Sequence, residues 1–203
     1  MQQSAPAASA QATLSDRLLD SDRAAAIELH ASFQAAVLVA LRDRDGSLST
    51  VFTRRHRNLP RHAGEISFPG GRREPGDATL IGTALRETHE EIGLPASMVR
   101  ILGALEPVPT VVSDHAVYPF VGLVPSDFSW HTSPEEVEAV IEFGLSDLVH
   151  ARTRTYIRRG GLPIRADSYV IGEHVIWGAT ARILSDLLAR VYRPGPTPRA
   201  PRA

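Results

Sequence analysis

Arg86, Glu87, Glu90 and Glu91 stand within six residues of one another and have the types and spacing for metal-assisted phosphate chemistry. At 100° per residue the three glutamates fall within about a 100° arc of a helix. Ile81, Ala84, Leu85, Thr88 and Ile92 take a different, mostly apolar arc. One face therefore anchors the helix while the other crowds carboxylates into a small volume. Crowded carboxylates repel and raise one another's pKa, and a hard divalent cation relieves that repulsion. Oxygen-only ligands favour Mg²⁺ or Mn²⁺ over Zn²⁺. Arg86 is placed to hold one carboxylate through a bidentate pair. A glutamate-rich helix face is most often only a solvated face. The rigid Phe68-Pro69-Gly70-Gly71 turn just upstream and the adjoining arginine argue for more than that here.

The elements that must position these residues follow from periodicity and punctuation. A helix is expected over Asp77–Ile92, closed by Gly93 as a left-handed cap. A first helix is expected over Leu14–Leu29, after a Thr13/Ser15 cap. Ala35–Leu41 and Leu48–Thr53 read as a hairpin around Asp45-Gly46. Arg54–Ala63 reads as a basic loop, and Phe68–Gly71 as a stop to regular structure. Further strands are expected at Val99–Leu105, Val117–Val124 and Val137–Phe143, then a short helix at Leu145–Val149. Thr155–Arg158 and Ser168–Ile171 suggest another strand pair, and Ile176–Val191 a closing amphipathic helix. Strands and helices mix without regular alternation, which points to an α+β fold with a mixed β-sheet sandwiched between helices.

Composition narrows the function classes. The chain has 203 residues, a formal net charge of -1 and no cysteine. Disulfides, thiolate metal sites and a cysteine nucleophile are excluded, and a reducing, cytoplasmic setting fits. The balanced charge offers no basic field for nucleic acid. All 22 basic residues are arginine, a pattern expected of genomic codon bias, though arginine forks suit phosphate wherever they cluster. No stretch has the length and apolarity of a membrane span or the form of a signal peptide. Residues 1–13 and 193–203 read as disordered tails flanking one domain over 14–192.

The segment Gly71–Leu94 closely resembles the Nudix box, in which a glycine and an acid precede Arg-Glu-x-x-Glu-Glu-x-Gly. Gly71, Arg86, Glu87, Glu90, Glu91 and Gly93 match. Asp77 stands for the usual glutamate, the spacing to Arg86 is one residue longer, and Thr88 replaces an apolar residue. The longer spacing is similar to that of the coenzyme A pyrophosphatase branch. That branch carries an upstream segment which here reads Val51-Phe52-Thr53-Arg54-Arg55, Leu59-Pro60-Arg61-His62-Ala63-Gly64 and Phe68-Pro69-Gly70-Gly71. His56 and Pro60 depart from it, with Arg61 beside the second departure. Ile176–Leu184 resembles the last helix of the branch.

The resemblance implies a Nudix fold and a metal-dependent hydrolase acting on a small nucleotide. The implied reaction is coenzyme A plus water giving 3′,5′-ADP and 4′-phosphopantetheine. It places Mg²⁺ or Mn²⁺ on Glu87, Glu90, Glu91 and the Gly71 carbonyl. Glu87, Glu90 and Arg86 are implied as catalytic. Glu135, Glu136 and Glu138 are the nearest later-loop candidates for the general base, and Glu136 is the choice among them. Arg54, Arg55 and Arg61, with Gly70 and Gly71, are expected to meet the substrate, in a stretch that also holds Arg57 and His62. His115 and His131 are read as surface or packing residues. Alternatives are hydrolysis of ADP-ribose, NADH or a dinucleoside polyphosphate, or a ligand-binding module without turnover. The protein is expected to act as a monomer or homodimer, away from nucleic acid and membranes.

Overall fold

A computed structural model of the protein describes residues 14–60, 62–110, 114–159 and 162–192. The expected tails, and Arg61, lie outside the described residues.

β1 (Phe33–Arg44) is the axis of the larger sheet. It runs parallel to β7 (His115–Leu123) along a nine-residue register from Phe33/His115 to Leu41/Leu123. The other edge of β1 is divided between two partners. Its end pairs antiparallel with β2 (Ser47–Arg55) through the expected Asp45-Gly46 turn, and its start pairs with β4 (Gly70–Arg72). β3 (Ile66–Ser67) and β8 (Val137–Gly144) flank β2, while β5 (Arg100–Ala104) and β6 (Val108–Pro109) pair with β7. A second sheet has the order β11 (His174–Trp177), β10 (Leu162–Ile171), β9 (Arg152–Arg159).

Helices cover both faces of the larger sheet, and β1 is apolar on both sides for that reason. Ala36, Leu38 and Ala40 meet Leu80, Ala84 and Ile92 of α2 (Leu80–Ile92) within two buried clusters. Val39 and Leu41, facing the other way, join the largest core. That core also holds Leu145 and Leu148 of α3 (Leu145–His150) and Ile183, Leu184 and Leu187 of α4 (Gly178–Val191). The mixed sheet between helices is the α+β architecture expected from the sequence.

Local corrections have physical causes. The first helix does not run from Leu14 to Leu29. Leu14 and Ser15 are helical, but the chain then turns and Leu19 bridges to Ala104. A separate helix, α1, forms over Ser21–Ala25, where Asp20 caps it by accepting from the Asp22 and Arg23 N–H groups. Arg54 and Arg55 belong to β2 rather than to a loop, because β3 and β8 both pair there. Phe68–Gly71 does not end regular structure, since Gly70 and Gly71 pair with Val37 and Ala36. Ile176 and Trp177 lie in β11, and the last helix starts at Gly178, whose φ of 66° breaks helical continuity.

Candidate active site

The centre of the site is α2 and the two glycines beneath it. Thr79 caps the helix by accepting the Gly82 N–H at 3.0 Å, and Gly93 closes it with φ 73° and an N–H donated to the His89 carbonyl. The helix thus starts three residues later than expected. Asp77, outside it, does a separate task.

Asp77 is the bidentate partner of Arg86. The arginine donates from Nε and Nη2 to the two carboxylate oxygens, each at 2.9 Å. Asp77 also accepts the Glu74 N–H at 2.9 Å and the Thr83 hydroxyl at 3.0 Å. These donors, the guanidinium foremost, hold its carboxyl well below the usual carboxylate range. The same partner pushes the Arg86 pKa up. Arg86 reaches Glu90 at 2.9 Å through Nη1 and Glu87 at 3.0 Å through Nη2. It also donates to the Arg72 carbonyl at 3.3 Å, tying α2 to the end of β4. One guanidinium therefore fixes two of the three box glutamates.

Glu91 lies on the buried side of the helix, at 2% exposure. It accepts the Gly70 N–H at 3.1 Å, and Arg55 Nη1 stands 3.8 Å away. Burial pushes its pKa up to about 7, with the Gly70 N–H and Arg55 pulling the other way and Glu87 and Glu136 adding repulsion. Glu87 is also shifted upward by burial, with Arg86 opposing and Glu90 and Glu136 reinforcing the shift. Thr88 sits on the buried face without penalty, because its hydroxyl donates to the Ala84 carbonyl at 2.6 Å.

The two glycines permit close approach. A β-carbon on Gly70, at φ 145°, would strike the Ala36 carbonyl and the Val37 Cα. One on Gly71 would strike the Glu87 carboxylate.

Glu136 reaches the site on the loop between β7 and β8, which packs back on the end of α2. His131 N–H donates to the Ile92 carbonyl at 3.1 Å and Ser133 N–H to the Glu91 carbonyl at 2.9 Å. Glu136 N–H then donates to Ser133, and the Glu136 carbonyl accepts the His56 N–H at 2.8 Å. The turn is pinned between α2 and the end of β2, with the Glu136 side chain exposed at the rim. Its charge acts on both Glu87 and Glu91. Glu138 faces elsewhere, towards Arg54 at 3.9 Å and Arg57 at 3.4 Å.

Of the expected substrate arginines, Arg54 and Arg55 are already engaged. Arg54 lies between Glu138 and Glu173, and Arg55 leans on Glu91. His115 stacks against Phe33 with ring centroids 5.3 Å apart, and His131 packs over Gly93, in keeping with packing roles. Two features escaped the sequence reading. Asp77 as the anchor of Arg86 is nine residues away across a helix start, and no periodicity links the two. Glu173 as a partner of Arg54 arrives from the second sheet.

The donor set suits a hard divalent cation. Glu87 and Glu91 offer carboxylate oxygens on one helix face, both desolvated and both under repulsion from Glu136. Among the described residues no three acidic or histidine side chains already stand together as a complete metal site. Glu90 in particular is turned towards Arg86.

Comparison with known proteins settles the family. The NUDIX domain family matches residues 32–161. This chain belongs to the Nudix family. It is 40% identical over 163 residues to a Yersinia enterocolitica protein named "Uncharacterized Nudix hydrolase NudL", covering 79% of this chain and 82% of the relative. An Enterobacter relative of the same name is 39% identical over 164 residues, covering 78% of this chain and 82% of its own length. Among solved structures, a Nudix hydrolase from Alicyclobacillus acidocaldarius superposes with a TM-score of 0.54 at 19% identity. That match covers 80% of this chain and 93% of the other, and it bears on the fold. The protein is a Nudix hydrolase, of a family that acts on small nucleotide-derived substrates and generally uses divalent metal ions. Among the described residues no helix is long and apolar enough to cross a membrane.

Proposed function

We propose that this Nudix hydrolase cleaves the pyrophosphate bond of coenzyme A or a close derivative, giving 3′,5′-ADP and 4′-phosphopantetheine. The observation that carries the chemistry is the cation-seeking pair of half-buried Glu87 and buried Glu91 against Gly70 and Gly71 of β4. The observation that favours coenzyme A over other nucleotides is the upstream segment Val51–Gly71, together with the longer spacing from Gly71 to Arg86.

In this reading Glu87, Glu91 and Glu90, with the Gly71 carbonyl, hold Mg²⁺ or Mn²⁺, which supplies charge neutralisation on the phosphates. Arg86, locked to Asp77, holds Glu87 and Glu90 in place. Gly71 leaves room for the Glu87 carboxylate at the reacting centre. Glu136 takes a proton from the attacking water as the new O–P bond forms in line with the departing phosphate oxygen. That P–O bond breaks and its electron pair leaves on the second phosphate. Arg55 and Arg61 meet the substrate phosphates, with Arg54 steering from the adjoining position. The setting is cytoplasmic, and the protein works as a monomer or homodimer without nucleic acid or membrane.

The test is a kcat/KM comparison with Mg²⁺ across coenzyme A, ADP-ribose, NADH and a diadenosine polyphosphate. Preference for coenzyme A supports the reading. Preference for another member of the panel overturns the substrate while leaving the hydrolytic site standing.

A further inference from the structure

At the end of β2, consecutive arginines belong to two different places. Arg55 stands 3.8 Å from Glu91 in the carboxylate site. Arg54 lines a separate cleft of about 340 Å³ between the loop 63–66 and the second sheet. One wall carries Ala63 and Ile66, and the other Thr155, Ile157 and Trp177. The volume is that of a small-molecule subsite, and the cleft begins one residue along the strand from the reacting centre.

Its charge decides what it can hold. Arg54 is the one arginine or lysine among the described lining residues. Its Nη1 is 3.6 Å from Glu173 and its Nε 3.9 Å from Glu138, so two carboxylates offset it. Glu65, also in the wall, is paired with His62 at 2.8 Å. Among the described residues no surplus positive charge is left for a phosphate, and the acids repel one. The remaining lining mixes aliphatic side chains and the Trp177 indole with the hydrogen-bonding side chains of Thr155, Tyr156 and His174, which suits an uncharged chain that carries hydrogen-bonding groups.

We propose that this cleft is the subsite for the uncharged, amide-bearing pantetheine arm of the substrate, with the phosphorylated nucleoside half lying on the opposite side of the carboxylate site. The assignment rests on the coenzyme A reading above. It makes Thr155, Ile157 and Trp177 specificity residues, contributed by the second sheet rather than by the Nudix box.

Product inhibition of coenzyme A hydrolysis tests it, because each product carries one half of the substrate. Thr155→Trp fills the cleft from the sheet, and Ala63→Trp fills it from the exposed loop if the first variant folds poorly. Either is expected to raise the inhibition constant of 4′-phosphopantetheine relative to that of 3′,5′-ADP by roughly ten-fold or more. The KM for coenzyme A rises with it, and kcat changes less. Equal effects on both products, no effect, or selective weakening of 3′,5′-ADP would overturn the subsite even with wild-type turnover intact. Failure of the wild type to hydrolyse coenzyme A would instead remove the substrate reading, and the subsite with it.

Discussion

The Gly71 backbone lies against the Glu87 carboxylate so closely that a β-carbon there would collide with it. Glycine at this position therefore sets where the Glu87 carboxylate, which the proposed function puts at the reacting centre, can be. Gly71→Ala is expected to lower kcat by about 10²-fold, since misplacement on the ångström scale costs that much in a preorganised site. Gly70→Ala acts differently, because its β-carbon meets main-chain atoms of β1 at φ 145°. It is expected to cost about 1–3 kcal/mol of stability. Thermal melts and steady-state kinetics on the two variants separate these effects. A Gly71→Ala enzyme with wild-type kcat would contradict the geometry.

Glu87→Gln keeps the size of the side chain and removes its charge. Turnover is expected to fall by about 10²-fold or more, because stabilisation of phosphoryl charge by a held cation is worth several kcal/mol. The melting temperature should hold or rise, since burial already disfavours the ionised form. Near-normal activity in a folded variant would remove Glu87 from its assigned role.

Glu136→Gln tests the base. The loss in kcat is expected to be about 10²- to 10⁴-fold with KM little changed. A kcat within a few-fold of wild type would move the base elsewhere, and Glu135 would then be the next candidate.

The Asp77–Arg86 pair predicts a pH dependence of stability. The folded-state pKa of Asp77 is depressed, so its contribution is present above the ordinary carboxylate value and is lost as pH falls through the lower folded value. Asp77→Asn should therefore be less stable than wild type at neutral pH, by an amount that is constant above about pH 5 and shrinks below about pH 4. Urea titrations across that range check the sign. A difference that grows on acidification would contradict the pairing.

How much of this was legible in the sequence depends on the range of the interaction involved. The helix carrying Glu87, Glu90 and Glu91, its glycine cap and the β1–β2 hairpin all follow from local periodicity and turn chemistry. The burial of Glu91 did not, since its place at the border of the apolar arc is decided by what packs there. That neighbour is the Gly70 N–H, brought in by β4 pairing with β1. Arg54 and Arg55 looked like loop residues because the strands that pair with them, β3 and β8, are distant in sequence. Ile176 and Trp177 fit a helical period equally well, and only Gly178 and the pairing with β10 make them strand.

Divalent cation dependence is expected to be complete. EDTA should abolish turnover, and Mg²⁺ or Mn²⁺ should restore it. Activity that survives thorough chelation would contradict the role given to the glutamate face of α2.

The most direct test of the central claim is the identity of the products formed from coenzyme A and Mg²⁺, resolved by chromatography with mass detection. The account predicts 3′,5′-ADP and 4′-phosphopantetheine in equal amounts, formed by wild type and not by Glu87→Gln. Intact coenzyme A after prolonged incubation, or cleavage at any bond other than the pyrophosphate, would contradict it.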